Sequence, residues 1–345
     1  MQLIKAVALT LFVLAAASQT VAARDEAVSF AGKRIILYIG FSPIGFGYDT
    51  YGRVLARYLG KHLPGTPNVV PQNRPGAGSM ALANYIYNAA PKDGSEIALV
   101  GRGVAMDSIL NGAASSAKFE ANKFYWLGSM NNEVAGFFIS GRAPVKSLDD
   151  ILAGRELQVG SNGAGSDPQM FAVALNAILH TRLKIIGGYL GMNEILLGIN
   201  RGELDGVVGY SWGVARAGSI GQIKSGELKL VMQLALQKHP DLPDVPLVVD
   251  IAPEGDAKKV LDLIFARQTM GRPVLAPPGL DPRVAAALRQ GFADAMHDPE
   301  FVAECAKINL ETRFVGGDEV QKIVARLSSL PADIVHEARE IVGEK

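Results

Sequence analysis

The regular alternation of apolar runs with helical patterns most limits what this chain can fold into. RIILYIG (34–40) is typical of a buried strand, and DTYGRVLARYLGKHL, beginning at Asp49, has apolar residues at helical spacing. The strand NVVPQN, the helix ALANYIYNAA and the strand EIALVG follow. Because this order favours parallel strands joined by crossover helices, the predicted class is α/β.

The same order returns in the middle of the chain, so two lobes are expected. ELQVGS, PQMFAVALNAILH, LKIIGGY, MNEILLGINRG and LDGVVGYS alternate strand and helix, and the strand LKLVMQLAL follows. The tail carries the helical segments DPRVAAALRQGFADAMHD and DPEFVAECAKI, and a last helix from Asp318. We predict one lobe from 24–135 with 247–345 and a second from 136–246. A small ligand would bind in the cleft between them.

The first 23 residues have the order of a secretory signal peptide. Lys5 precedes the apolar run AVALTLFVLAAA, and small residues in QTVAA follow it. Twelve apolar residues are too few to cross a bilayer, which needs about 20 in a helix. We expect cleavage after Ala22 or Ala23 and an exported, soluble protein.

Composition excludes several classes of function. Without residues 1–23 the chain has 322 residues, enough for two domains, with 33 basic against 34 acidic side chains. Nucleic-acid binders usually carry a basic excess, so no such partner is expected. Cys305 is the single cysteine and the five histidines lack metal-ligand spacing, so neither a disulfide, a metal site nor a cofactor is expected.

Three glycine-rich turns each lie between a predicted strand and a helix, where ligands bind in open α/β sheets. They are FSPIGFGYD (41–49), NRPGAGS (73–79) and GSNGAGSD (160–167). In the first, Asp49 is expected to cap the following helix. In the third, Ser166 and Gln169 fit a capping box. The second lacks the Lys-Ser/Thr ending of a P-loop. Helix starts facing each other across a cleft would suit a ligand with a carboxylate at each end.

GYSWG (209–213) fits the G-x-S-x-G pattern of a nucleophile elbow, with Ser211 as nucleophile. A secreted serine hydrolase is therefore an alternative function. His297 and His336 do not follow predicted strands, where the base of such a triad should lie, and no HGGG-type segment supplies an oxyanion hole. Ser211 is instead expected to line the cleft.

Several segments, in order, resemble a known family. VVPQNRPGAGSMALANYIYNAAPKDGSEIALV (69–100) is similar to its NRPGAG turn, followed after a helix by its P-x-D-G turn. VGSNGAGS, GGYLGMNEILLGINRGELDG, HPDLPDVP, and APPGLDP with HDPEF come next. From about Ile35 to Ile341 the chain resembles the substrate-binding proteins of tripartite tricarboxylate transporters, the Bug family of extracytoplasmic solute receptors.

This resemblance implies a type II periplasmic-binding-protein fold, with two α/β lobes around a hinged cleft, and a receptor rather than an enzyme. Such a receptor captures a small organic acid in the periplasm, often a di- or tricarboxylate, and presents it to integral-membrane permease subunits. No cofactor is implied, and a monomer is expected.

The resemblance also implies ligand-binding residues, because the first and third turns of the family bind carboxylates largely through backbone N–H groups. The matching positions are Ser42, Gly45, Gly47 and Asp49 in the first turn, Gly76, Ala77, Gly78 and Ser79 in the second, Ser161, Asn162, Gly165 and Ser166 in the third, and Tyr189 in the Y-x-G segment.

Two further positions come from this chain's own pattern. Phe46 separates two glycines that are adjacent in the family, and its ring would shrink the pocket or stack on an unsaturated ligand. Arg102 follows a predicted strand and can pair with a ligand carboxylate; an ordinary surface arginine is the alternative.

Overall fold

Two mixed β-sheets with packed helices form the fold. The computed structural model describes residues 28–43, 47–112, 115–163 and 166–342. The predicted signal peptide and three predicted binding residues, Gly45, Phe46 and Gly165, lie outside the described residues. In the part of the chain that is described, no helix combines the length and apolar character needed to cross a membrane.

The first sheet has six strands: β1 (Arg34–Ile39), β2 (Asn68–Asn73), β3 (Glu96–Leu99), β4 (Tyr125–Ser129), β10 (Pro273–Ala276) and β11 (Val315–Gly316). Their order across the sheet is β11-β4-β10-β3-β1-β2. β1 is parallel to β2 and β3, whereas β10 is antiparallel to β3 and β4, and β11 is antiparallel to β4.

Helices of this first lobe pack on the sheet and on one another. α1 buries Tyr51, Val54, Leu55 and Leu59, the apolar face that the helical spacing predicts. The helices are α1 (Tyr48–Leu59), α2 (Met80–Asn88), α3 (Asp107–Asn111), α11 (Pro282–His297), α12 (Pro299–Lys307), α13 (Gly317–Ser328) and α14 (Ala332–Val342).

The second sheet has five strands: β5 (Ala135–Ser140), β6 (Glu156–Gly160), β7 (Arg182–Ile186), β8 (Gly206–Ser211) and β9 (Leu228–Leu234). Their order across the sheet is β7-β6-β8-β5-β9. β6 is parallel to β7 and β8, and β5 is antiparallel to β8 and β9. The helices are α4 (Leu148–Leu152), α5 (Asp167–Ile178), α6 (Met192–Arg201), α7 (Trp212–Gly218) and α8 (Ile220–Ser225).

Two connections join the sheets in the described chain. Residues 130–134 link β4 to β5, and a longer path runs from β9 through α9 (Val248–Ile251) and α10 (Asp256–Thr269) to β10. The two paths are hydrogen-bonded to each other: Gly271 N–H donates to the Asn131 carbonyl (3.0 Å) and Glu133 N–H to the Gln268 carbonyl (2.8 Å). The sheets are therefore linked by a paired crossing.

An apolar contact also bridges the lobes. α5 packs against α10 and α14, and the rings of Phe171 and Phe265 lie 4.6 Å apart, both fully buried. The buried cluster around them extends from β3 to β6, so one core runs between the two sheets.

The strands and helices predicted from spacing are confirmed, with one difference near the C-terminus. Several elements were not predicted, among them α3, β4, α10, β10 and β11. The helix expected from Asp318 is two helices, α13 and α14, because Pro331 lies between them and a proline cannot continue a helix. The proposed lobe boundaries stay a prediction.

Candidate functional site

A cavity of about 350 Å³ lies between the two sheets. Its lining comes from the ends of β3 and β8, the start of α5, and α6, α7 and α10. The lining residues are Arg102, Asn162, Ser166, Asp167, Pro168, Met192, Gly209, Tyr210, Ser211, Val214 and Arg267. Four of them, Arg102, Asn162, Ser166 and Ser211, are among the residues predicted to bind ligand.

Two larger depressions lie elsewhere. One of about 580 Å³ runs along the outer surface of α1 and the edge strand β2, and one of about 440 Å³ lies between α7 and the segment after α12. In α/β proteins ligands bind beyond the carboxyl ends of the strands. Since only the 350 Å³ cavity among these three has that position, we take it as the candidate site.

Gly209 brings the start of α5 close to β8. Its φ is +89°, and a Cβ there would lie 3.0 Å from the backbone carbon of Asp167. Only glycine accepts both the left-handed conformation and this approach without strain. Ser166 caps α5: its Oγ accepts from the Gln169 N–H at 3.4 Å, which confirms the serine half of the predicted capping box. The Ser166 N–H donates to the Gly163 carbonyl (3.2 Å) instead of to the Gln169 side chain.

Charged side chains from both lobes meet at the cavity. Arg102 forms an ion pair with Asp167 and lies 3.8 Å from a Glu133 oxygen. Arg267 lies 3.5 Å from the other Asp167 oxygen. Burial disfavours the charge on Arg102, but Asp167, with Tyr48 and Glu133, outweighs it and raises the Arg102 pKa. The arginine of the first lobe is thus held charged against the second lobe.

Glu133 lies behind this pair, on the shorter crossing segment, with its side chain 4% exposed. One of its oxygens accepts a 2.6 Å hydrogen bond from Ser211 Oγ, and the other is 3.8 Å from Arg272 Nη1. The Arg272 guanidinium lies over the rings of Tyr48 (4.5 Å) and Tyr51 (5.0 Å). These contacts order the crossing beside the cavity.

Ser211 has the surroundings of a structural serine rather than a nucleophile. Its Oγ donates to Glu133 and accepts from the Val214 N–H at 3.4 Å, capping α7. All five histidines lie in the described ranges, and none forms a hydrogen bond with Ser211 there. His297 bonds the Ala293 carbonyl, and His336 pairs with Glu340.

The first turn is only partly described. Ser42 is exposed, and Gly47 is the N-cap residue of α1, with no side-chain cap. The prediction that Asp49 caps α1 is wrong, because Asp49 lies inside the helix and accepts from Arg53 (2.9 Å) and Asn73 (2.6 Å). Burial opposes the charge on Asp49, but these hydrogen bonds lower its pKa. Asp49 therefore links α1 to the end of β2.

The second turn ties three strand ends together. Ser79 is fully buried; its Oγ donates to the Gly40 carbonyl (3.2 Å) and accepts from the Gly101 N–H (3.0 Å). Ala77 and Gly78 are exposed and Gly76 is half-buried. The Ser79 hydroxyl is thus occupied by the loops after β1 and β3.

The remaining predicted residues lie around the third turn. Ser161 is fully buried and its Oγ accepts from the Gly163 N–H at 3.2 Å, whereas Asn162 is exposed to the cavity. Tyr189 packs against α6, where a Cβ on Gly198 would lie 3.1 Å from its hydroxyl. The ligand contacts of all these residues stay a prediction.

Sequence reasoning missed three charged residues at the site: Glu133, Asp167 and Arg267. Asp167 belongs to the third turn, but no ligand-binding role was predicted for it. Arg267 and Glu133 are on the crossing, whose elements carried no recognised pattern. An acid directly after a capping serine was the one available signal.

The sequence profile of the tripartite tricarboxylate transporter family receptors matches residues 52–338. The chain belongs to this family. Its members are binding receptors, not enzymes, so the hydrolase alternative for Ser211 is wrong.

Comparison with known proteins and solved structures is consistent with membership of this family. The receptor is 23% identical over 312 residues to a UPF0065 protein of the gbd 5′ region from Cupriavidus necator, covering 88% of this chain and 86% of the relative. A TctC solute-binding protein structure from Polaromonas, without ligand, has a TM-score of 0.71 at 20% identity, covering 91% of this chain and 99% of that one. An R. palustris protein with adipate has a TM-score of 0.61 at 16% identity, covering 90% and 98%. These likenesses confirm the type II periplasmic-binding-protein fold.

Proposed function

We propose that this receptor is exported to the periplasm, captures a small organic carboxylate between its lobes and delivers it to a tripartite tricarboxylate-type membrane permease. The observation that carries the proposal is the pair Arg102 and Arg267, which line the cavity between the sheets. An arginine has five N–H donors in a planar fork that matches a carboxylate. Adipate in a structurally similar protein supports a carboxylate ligand.

In this proposal the paired crossing is the hinge about which the two lobes close. Its two hydrogen bonds, from Gly271 N–H to the Asn131 carbonyl and from Glu133 N–H to the Gln268 carbonyl, connect segments that lead into both sheets. A ligand that contacts Arg102 on one lobe and Asn162 on the other favours the arrangement in which both are close. The permease would recognise that arrangement.

The test is a thermal-unfolding scan of the full chain, produced with its own first 23 residues and purified from the periplasm, against mono-, di- and tricarboxylates. An acid present at 100 times its dissociation constant stabilises the fold by about 2.7 kcal/mol. N-terminal sequencing of the same sample reports export, with Ala23 or Arg24 as the expected first residue.

Arg102→Gln is expected to weaken binding of the acid found in the scan roughly 10- to 100-fold, as a charged hydrogen bond contributes about 1.5–3 kcal/mol. Arg289→Gln is the matched control: Arg289 is equally buried, 20% against 21% exposed, and also pairs with an aspartate, but lies on α11 away from the cavity. Equal affinities of both variants, or no stabilising acid at all, would sink the proposal.

A further inference from the structure

The charged side chains at the cavity limit how many carboxylates the ligand can carry, which the fold of the family does not do. Among the described lining residues, Arg102 and Arg267 are cationic and Asp167 is anionic. Behind them, Glu133 and Arg272 lie 3.8 Å apart and balance each other. With or without this second pair, the surplus is one positive charge.

Asp167 is a carboxylate partner of both arginines, and Arg102 also lies 3.8 Å from a Glu133 oxygen. Asp167 is 6% exposed and contacts Arg102 with one oxygen and Arg267 with the other. Arg267 otherwise donates to the sulfur of Met170 at 3.4 Å, a weak acceptor, so its fork has donor capacity left. One incoming carboxylate completes the charge balance of this group.

Apart from Arg102 and Arg267, the described lining residues offer no cation to a second ligand carboxylate. The uncharged part of the described wall includes Asn162, Ser166, Met192, Tyr210 and Val214. Asp167 also lies in the first turn of α5, where its negative charge already offsets the positive end of the helix dipole. A carboxylate at that turn would face Asp167 as a like charge, and a buried charge without a partner is strongly disfavoured.

The neutral wall carries apolar surface that a ligand can cover. Val214 lines the cavity and is 55% exposed, and Met192 is a second aliphatic side chain of the lining. Exposed aliphatic side chains at a cleft favour an uncharged, partly apolar ligand body over a hydrated one. The surplus of one positive charge and the uncharged, partly apolar lining thus both indicate a ligand with one carboxylate and an uncharged body.

Resting on the proposed carboxylate receptor function, we propose that the cleft selects a monocarboxylate with an uncharged body and that Asp167 is the residue that rejects dicarboxylates. The carboxylate accepts from the N–H groups of Arg102 and Arg267 that Asp167 does not use, and the body lies towards Met192 and Val214.

The experiment is calorimetric titration of the full chain with matched acids that differ by one carboxylate: butyrate and succinate, hexanoate and adipate, benzoate and terephthalate. In the pair that binds best, the monocarboxylate is expected to bind at least about tenfold tighter, a difference of about 1.4 kcal/mol. Asp167→Asn is expected to reduce this ratio at least tenfold. Asp256→Asn is the control, because Asp256 also begins a helix and pairs with a cation but is exposed and outside the cavity.

Tighter binding of the dicarboxylates by the unmodified chain overturns this inference and leaves the carboxylate receptor standing. An unchanged ratio in a folded Asp167→Asn variant overturns the role of Asp167. If no acid of either kind binds, the proposed function fails first. Should Asp167→Asn not fold, as judged by circular dichroism, the ratio measured on the unmodified chain decides the ligand class alone.

Discussion

Replacing Ser211 with alanine removes two interactions at once, and its cost can be worked out from the structure. Ser211 Oγ caps α7 by accepting from the Val214 N–H and donates a 2.6 Å hydrogen bond to the buried Glu133 carboxylate. Loss of a serine cap costs about 1 kcal/mol, and loss of a hydrogen bond to a charged group about 1.5–3 kcal/mol. Ser211→Ala should therefore lower the free energy of unfolding by about 2.5–4 kcal/mol.

Ser147→Ala is the matched control, because Ser147 caps α4 through the Asp150 N–H at 3.2 Å, and its carboxylate neighbour, Asp150 of the same turn, is 26% exposed rather than buried like Glu133. The cap term, about 1 kcal/mol, should account for most of the loss there. Both variants are compared by urea denaturation at pH 7, and a double-mutant cycle with Glu133→Gln isolates the pair. Equal losses for the two serines would refute the role assigned to the Glu133 hydrogen bond.

Three other predictions follow from buried groups. Burial raises the pKa of Cys305 to about 11, so a disulfide reagent at pH 8 should label it only after unfolding; rapid labelling of the native chain would contradict this. A hydrogen bond from Lys61 lowers the pKa of Asp298, so its stabilisation is present above the unfolded value of about 3.9 and is lost as pH falls below it. The stability difference between the unmodified chain and Asp298→Asn, from urea curves at pH 7 to 3, should shrink below about pH 4; a constant difference would be inconsistent with this sign. Phe171→Ala should cost about 3–5 kcal/mol in urea denaturation, as it leaves Phe265 without its partner across the lobes, and a loss below about 1 kcal/mol would show that the bridge contributes little.

Local patterns were sufficient for most of the strands and helices. The buried face of α1 and the capping serine Ser166 depend on residues within one or two helical turns, and both were predictable. The prediction for Asp49 failed for a tertiary reason: its carboxylate finds Asn73, 24 residues away, instead of the helix start beside it.

The amino-acid sequence by itself determined the α/β class, the order of its elements and the turns at their ends, because these depend on the spacing of apolar residues, glycines and caps along a short stretch of chain. Only the tertiary structure decided the site. Asp167 meets Arg102 and Arg267 across 65 and 100 residues, and Ser211 meets Glu133 across 78. These contacts join segments far apart in the chain, and they form only where the two lobes and the paired crossing meet.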